Sequence, residues 1–232
     1  MVSIRKSNQR GHANHGWLDS RFSFSFADYY DPESMGFRAL RVINEDVIQG
    51  GGGFGMHGHR EMEIVTYVLS GALRHTDSLG SGGVIVPGEL QHMSAGTGIR
   101  HSEFNASATE PAHLLQIWLV PTKPGVKPSY SQQTFPVAAE PNLLHLLASP
   151  DGRENSLVWE TEAELYGARV DAGDKVEHAF TRKHGWVQVA RGSAVVNGQN
   201  LAQGDGLALS EEVDIAIQAG KDGTEVLFFE LA

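Results

Sequence analysis

Short apolar segments separated by glycine are the feature that most limits how this chain can fold. The sequence has 232 residues, of which 27 are glycine. Runs rich in β-branched and aromatic residues, each of strand length, cover residues 64–69, 84–87, 114–120, 187–190, 207–209 and 225–229. Only residues 141–148 show a leucine spacing that a helix could use. The pattern predicts an all-β fold, either a sandwich or a barrel.

Two pairs of potential metal ligands are the strongest chemical signal in the sequence. His57 and His59 are separated by one residue, and so are His101 and Glu103. Residues i and i+2 of a strand point to the same side, so each pair would project two ligands together. Two such strands facing each other would offer three imidazoles and one carboxylate to a single ion. This set suits iron, nickel, copper or zinc, and it predicts a mononuclear metal site inside a β-barrel.

The composition excludes several other kinds of protein. The formal net charge is −10 and no Lys/Arg run is present, which argues against direct nucleic-acid binding. There are no cysteines, so any metal must be held by histidine, aspartate or glutamate. We find no run of about twenty apolar residues and no apolar segment near Met1, so we expect neither a membrane span nor a signal peptide. We expect a cytoplasmic monomer.

A proline-rich segment suggests where the chain divides. Residues 121–128 contain three prolines in eight positions, and such a segment cannot join a central strand. We therefore predict one domain at residues 1–125 and a second at residues 126–232.

The two sides of this boundary share a spacing. His57 precedes Gly71 by fourteen residues, and His178 precedes Gly192 by the same interval. We interpret the match as a tandem duplication of one β-barrel unit. Phe180 stands where the second copy would need its second histidine. We therefore predict that only the amino-terminal barrel binds metal.

Several separated blocks resemble one known family. The pattern Gly-x5-His-x-His-x3-Glu-x7-Gly over residues 51–71 resembles the first motif of the cupin superfamily. Residues 96–101, Gly-Thr-Gly-Ile-Arg-His, depart from the usual second cupin motif and match the pirin branch. Further pirin-like blocks cover residues 10–18, 22–26, 35–42 and 93–103. The resemblance implies two tandem cupin barrels with jelly-roll topology, of which only the amino-terminal one holds a metal.

Carried over residue by residue, the resemblance makes His57, His59, His101 and Glu103 the ligands. The residue between the first two histidines is glycine here, whereas the family more often has proline. Glu63 competes for the carboxylate position, because many other cupins use that glutamate. It lies four residues beyond His59, which is roughly 13 Å along an extended strand. We therefore favour Glu103 and expect Glu63 to orient a ligand imidazole.

The resemblance also implies an activity. Pirin-like proteins include enzymes that act like quercetin 2,3-dioxygenase, so we expect a metal-dependent dioxygenase that opens a flavonol with release of carbon monoxide. Its partners would be a small aromatic substrate and O2, and Glu103 would be the general base. We expect one divalent ion, iron first, with zinc, nickel, copper, manganese and cobalt as alternatives. The alternative functions are a redox-sensitive regulatory protein acting through a protein partner, or a cupin isomerase.

The remaining candidate residues have ordinary structural interpretations. We expect a hydrogen-bonding role rather than metal ligation for His75, His92, His113, His145, His178 and His184. For His12 and His15 we weigh a place at the mouth of the cavity against the capping of a turn. Phe22, Phe24 and Phe26 alternate at period two, which favours core packing on one face of a strand.

Overall fold

The computed structural model describes residues 1–232, and strands make up nearly all of its regular structure. The only helices are two short 3-10 helices, η1 (Ser7–Gln9) and η2 (Arg153–Asn155). No helix is long and apolar enough to span a membrane. The all-β prediction is confirmed.

The strands fall in two compact units, each described by itself. The first, which we call the histidine unit, comprises Gly11–Thr134 and Trp159–Thr161. Its strands are β2 (Gly11–Asn14), β3 (Leu18–Phe22), β4 (Leu40–Ile48), β5 (Gly53–His59), β6 (Glu63–Ser70), β7 (Leu73–Asp77), β8 (Gly82–Ile85), β9 (Glu89–Ser94), β10 (Ile99–Asn105), β11 (Ala112–Leu119) and β12 (Ser129–Thr134).

Two sheets build the histidine unit. One has seven strands in the order β12-β9-β6-β11-β4-β3-β2, and the other has four in the order β5-β10-β7-β8. A buried apolar cluster takes side chains from both sheets, namely Leu18, Ile48, Val68, Leu73, Ile85 and Leu114. A second cluster, formed by Ile64, Met93, Ala95 and Ile99, also takes side chains from both sheets. Burial of these side chains is the main favourable contribution to the stability of the unit.

The second unit, which we call the carboxy-terminal unit, comprises Met1–Arg10, Phe135–Val158 and Glu162–Ala232. Its strands are β1 (Val2–Arg5), β13 (His145–Ser149), β14 (Leu157–Val158), β15 (Ala163–Val170), β16 (Lys175–Ala179), β17 (His184–Val196), β18 (Gln199–Ala202), β19 (Gly206–Ser210) and β20 (Asp214–Leu231). They form one nine-stranded sheet along the path β1-β19-β17-β20-β15-β13-β14, with β16 paired to β20 and β18 to β17.

Besides the short segment Trp159–Thr161, two strands place these units across a division at residue 125. The first strand, β1, pairs antiparallel with β19 of the carboxy-terminal unit, with Ile4 opposite Leu207. The strand β12 lies beyond residue 125 but pairs with β9 of the histidine unit. Both differences arise from strand pairing between residues far apart in the sequence.

Residues 141–148 form no helix, contrary to the option left open by their leucine spacing. The strand β13 begins at His145, and Leu146 pairs with Tyr166 of β15. Leu146 is buried in the core of the carboxy-terminal unit. Cross-strand pairing and burial therefore outweigh the local spacing.

The two glycines matched by the duplication play the same conformational role. Gly71 has φ 75° and Gly192 has φ 72°, in the left-handed region that favours glycine. A Cβ atom would also lie 2.8 Å from the Ala112 backbone at the first position and 2.2 Å from the Gly223 backbone at the second. Each position therefore requires glycine for two reasons, its positive φ and the lack of space for a Cβ atom. This shared requirement supports the interpretation of the two halves as a tandem duplication.

Candidate metal centre

Pairing of β5 with β10 brings the two ligand pairs of the sequence together. The strands are antiparallel, and His57 lies directly opposite His101. The register then shifts, so that Glu103 lies opposite Phe54. This irregularity inserts an extra residue into β5 and changes how the following side chains face each other.

Three imidazoles converge at this pairing. The potential ligand atoms of His57, His59 and His101 all lie within 4.8 Å of one another. The Nε2 atoms of His57 and His101 are 3.0 Å apart. Nδ1 of His57 lies 2.8 Å from the carbonyl oxygen of Gly55, and because a carbonyl oxygen only accepts, this nitrogen is the donor. The Nε2 atom of neutral His57 therefore carries a lone pair aimed at its neighbours, as a metal ligand requires.

The environment of His59 and His101 keeps these two imidazoles neutral. The pKa of His101 is lowered to about 2, first by burial and then by repulsion from the three neighbouring histidines. The pKa of His59 is lowered to about 4 by burial and by repulsion from His57. Metal ions bind neutral imidazole, so both groups are in the ligating form at neutral pH.

Glu103 lies beside His101 in a second group of potential ligands. Its carboxylate, His101 and His75 have ligand atoms within 4.8 Å of one another. Gln116 Nε2 donates to Glu103 Oε1 over 2.8 Å, and Thr66 Oγ1 donates to the same oxygen over 3.4 Å. Burial raises the pKa of Glu103 to about 7, against the opposing effect of these hydrogen bonds. A carboxyl with this pKa exchanges protons readily at neutral pH.

His75 is the functional candidate that the sequence interpretation misses. Its Nδ1 lies 3.4 Å from Nδ1 of His101, and its Nε2 lies 3.3 Å from Oδ2 of Asp77. The ring of Tyr130 packs against it with centroids 4.8 Å apart. His75 is thus placed to orient His101, as the partners of metal-ligating histidines do. The one sequence signal that could have indicated a role for His75 is its position two residues before Asp77 on the same strand, which places both side chains on one face.

Glu63 does not orient a ligand imidazole, contrary to expectation. Nε2 of His92 lies 2.6 Å from its Oε2 atom, and Ser94 Oγ donates to Oε1 over 2.7 Å. These bonds lower the pKa of Glu63, although burial acts in the opposite direction. On β6, Glu63 and Thr66 are an odd number of residues apart, so Glu63 faces away from the side on which Thr66 contacts Glu103.

A cavity of about 580 Å³ opens beside the histidines. The three imidazoles and Glu103 contribute to its wall. Aromatic side chains form much of the remainder, namely Trp17, Phe22, Phe26, Phe54 and Trp118. Its volume and apolar lining are typical of sites for small organic ligands.

The aromatic motif and the amino-terminal histidines occupy separate places around this cavity. The strand β3 ends at Phe22, so the expected single face is not formed. Phe22 and Phe26 line the cavity with ring centroids 5.6 Å apart, whereas Phe24 is buried elsewhere. His15 also lines the cavity, while His12 bonds to Asp19 at the surface.

One section of the cavity wall is polar. Ser20, Asn44 and Asp46 line it and are almost fully buried. Ser20 Oγ donates a hydrogen bond to Oδ1 of Asp46. Burial raises the pKa of Asp46 to about 7, the Ser20 hydrogen bond lowers it, and repulsion from Glu103 and Glu45 adds to the increase.

The matched positions of the carboxy-terminal unit are arranged differently. Nε2 of His178 lies 2.9 Å from Oε2 of Glu230. Phe180 packs against Phe228 with centroids 5.5 Å apart. The Glu230 carboxylate also accepts a hydrogen bond from Thr181 Oγ1. Loss of the second metal site, predicted from Phe180, stays a prediction.

Comparison with known proteins agrees with this architecture. The profile of the Pirin family matches residues 3–119, and that of the quercetinase C-terminal cupin domain matches residues 146–231. Quercetin 2,3-dioxygenase of Escherichia coli (strain K12) is 49% identical over 232 residues, covering 100% of this chain and 99% of the relative. A pirin-like protein of Caulobacter vibrioides is 39% identical, covering 98% of each chain.

Solved structures give the same result. The crystal structure of YhhW from Escherichia coli matches with a TM-score of 0.95 and 48% identity, covering 100% of this chain and 98% of that one. The structure of the bacterial pirin YhhW in complex with nickel(II) matches with a TM-score of 0.94 and 48% identity, covering 100% and 99%. The fold is therefore that of two tandem cupin domains, and the chain belongs to the pirin family.

Proposed function

We propose that this protein is a metal-dependent dioxygenase that cleaves the heterocyclic ring of a flavonol such as quercetin and releases carbon monoxide. The observation that carries the proposal is the convergence of three imidazoles, with the Glu103 carboxylate beside His101, on the wall of an apolar cavity. The relative named quercetin 2,3-dioxygenase, at 49% identity over the whole chain, supports the same reaction class.

The ligands proposed for one divalent metal are His57, His59, His101 and Glu103. Three imidazoles with one carboxylate are a donor set that would hold a borderline divalent transition metal. The nickel(II) complex of YhhW supports a divalent metal in this family. Iron is our first choice for the native ion. When bound, the ion supplies Lewis acidity toward an anionic substrate oxygen.

Glu103 is the proposed general base. Without metal, burial raises its pKa to about 7, and a bound divalent ion would favour the ionised form, which is the form that accepts a proton. The carboxylate would take the proton of the flavonol 3-hydroxyl at one of its Oε atoms. Gln116, bonded to Oε1 over 2.8 Å, holds the group in place while this proton moves.

The side chains that line the cavity would orient the substrate and exclude water. Trp17, Phe54 and Trp118 present flat apolar surfaces suited to an aromatic ring system. Phe54 and Trp17 pack edge to face with centroids 5.1 Å apart, which restricts their motion. In the proposed reaction a flavonol and O2 give a ring-opened ester and carbon monoxide, so no external reductant is consumed.

Aerobic turnover of quercetin tests the proposal. Metal-reconstituted protein should consume quercetin and O2 and release carbon monoxide in equal amounts. Glu103→Gln removes the base but keeps the size of the side chain, so carbon monoxide release should collapse. His178→Ala, a histidine change in the other unit, is the matched control and should retain activity. Metal-loaded protein that binds quercetin but releases no carbon monoxide would exclude this function and favour a regulatory role.

A further inference from the structure

We propose that Ser20, Asn44 and Asp46 form a polar subsite that recognises hydroxyl groups on the substrate beyond those held near the histidines. This inference rests on the proposed function and deepens it, since it names the substrate class as polyhydroxylated aromatic molecules. The three residues belong to β3 and β4 of the seven-stranded sheet. The histidines belong to β5 and β10 of the four-stranded sheet.

Strand register brings the three polar side chains together. Asp46 lies opposite Ser20 across the pairing of β4 with β3. Asn44 is two residues from Asp46 on the same strand, so both point to the same side of the sheet. All three line the cavity, with exposed fractions of 2% for Ser20, 4% for Asn44 and 2% for Asp46.

The Asn44 side chain has a hydrogen-bond acceptor that lacks a donor. Its Oδ1 atom is buried and has no hydrogen-bond partner. Buried polar atoms are nearly always paired, and an unpaired one destabilises the fold unless a ligand or a water completes it. A carbonyl oxygen can only accept, so the group that completes it must be a donor such as a substrate O–H.

Asp46 adds a second point of recognition beside it. The hydrogen bond from Ser20 uses one of its two carboxyl oxygens and fixes the orientation of the group. The neighbouring amide, Gln116, lies opposite Asn44 but is committed to Glu103 through its Nε2 atom. The Glu103 carboxylate takes its hydrogen bonds from Gln116 and Thr66 and none from Asn44 or Asp46. A role in substrate binding explains the burial of Asn44 and Asp46 at the cavity wall.

The surroundings make this polar patch selective. Phe22 lies opposite Asn44 across the sheet, and Leu18 and Trp118 also line the cavity. A hydroxyl placed against these apolar side chains would lose its hydrogen bonds to water, whereas one placed at Asn44 would keep a partner. A site built to bond a hydroxyl discriminates against the analogue that lacks it.

Equilibrium binding of two flavonols tests the inference without depending on turnover. Quercetin carries several ring hydroxyls, whereas 3-hydroxyflavone keeps only the 3-hydroxyl beside the 4-carbonyl. Dissociation constants would be measured by quenching of tryptophan fluorescence in metal-loaded, oxygen-free protein. We expect the wild-type protein to bind quercetin more tightly than 3-hydroxyflavone.

Substitution should remove this preference. Asn44→Leu keeps the volume but removes the acceptor, so it should weaken quercetin binding roughly 2–12-fold, as one neutral hydrogen bond predicts. Binding of 3-hydroxyflavone should change little. Asp46→Leu is a second variant with the same expectation, in case the first fails to fold. Gln91→Leu is the matched control, because Gln91 is a buried amide with an unpaired Nε2 atom that does not line the cavity.

The polar subsite and the dioxygenase activity can be refuted independently of each other. Equal affinities of the wild-type protein for both flavonols, or an affinity ratio unchanged in Asn44→Leu and Asp46→Leu, would overturn the subsite. A ratio that falls equally in Gln91→Leu would overturn it too, since the effect would then be structural. Loss of the preference in a protein that releases no carbon monoxide would support the subsite and refute the dioxygenase.

Discussion

Asp46 should make the stability of the histidine unit fall as the pH rises, and Asp46→Asn should remove that dependence. Burial raises the pKa of Asp46 from 3.8 to about 7. Above pH 3.8 the unfolded chain releases this proton, while the folded protein retains it up to about pH 7. The contribution to stability is therefore complete below the unfolded pKa and is lost as the pH rises through the folded one.

The pKa shift sets the size of the effect. Between pH 5 and the folded pKa of about 7 the loss is about 1.36 kcal/mol per pH unit, or roughly 3 kcal/mol for this one side chain. Asparagine has nearly the same shape and no charge at any pH. From pH 5 to pH 8, the unfolding free energy of the wild-type protein should therefore fall relative to that of Asp46→Asn by the amount calculated for this side chain. Glu103 titrates in the same direction but is present in both proteins.

Urea unfolding of metal-free protein at the two pH values measures this difference. In a Trp186→Phe background, fluorescence reports the histidine unit, because Trp17, Trp118 and Trp159 all belong to it. Asp28→Asn, which removes an exposed carboxylate from the same unit, is the control and should leave the pH dependence unchanged. An unchanged pH dependence in Asp46→Asn would refute the reasoning, since it would mean that burial does not disfavour the charged carboxylate.

Three further predictions concern the metal. His101→Ala should abolish stoichiometric metal binding because it removes a central imidazole, whereas His178→Ala should leave the metal content unchanged in elemental analysis. His75→Ala should weaken metal affinity roughly 10–100-fold, because it removes the group that orients His101, and competition with a chromogenic chelator would measure the change. Metal affinity should fall as the pH decreases through about 7, because protons compete first for Glu103, whose pKa is raised to about 7, and then for His59 and His101, whose pKa values are lowered below 6.5. Full retention of metal at pH 4 in equilibrium dialysis against a chelator would contradict a site of imidazoles and a carboxylate.

The proposed metal ligands could be chosen from sequence because their signal is local. Two ligands at i and i+2 of a strand must share a face, so His57 with His59 and His101 with Glu103 needed no knowledge of the fold. His75 could not be found in this way. Its position depends on the pairing of β7 with β10, in which it lies opposite Glu103, 28 residues further along the chain. Such a register is set by the packing of the whole unit.

The difference between local spacing and non-local strand register also explains why the expectations for Glu63 and for the alternating phenylalanines were wrong. Glu63 lies opposite Ser94 across β6 and β9, and this non-local register gives it partners that spacing alone does not indicate. The expected alternation of Phe22, Phe24 and Phe26 fails because β3 ends at the first of them. The polar wall residues were missed for a similar reason. Ser20 and Asp46 meet only through strand pairing, and their sequence neighbourhood contains no recognisable motif.

Pairing of β1 with β19 has a practical consequence for dissecting the molecule. A fragment that starts after residue 125 would lack β1, and β19 would then become the edge of its sheet. The residues of β19 are apolar and buried, including Leu207 and Leu209. The new edge would expose their unpaired backbone N–H and C=O groups, with which strands of other chains could pair, so the fragment would aggregate. The carboxy-terminal unit therefore cannot be obtained by a single cut. A soluble version would need residues 1–10 joined back to it through a linker, as in a circular permutant.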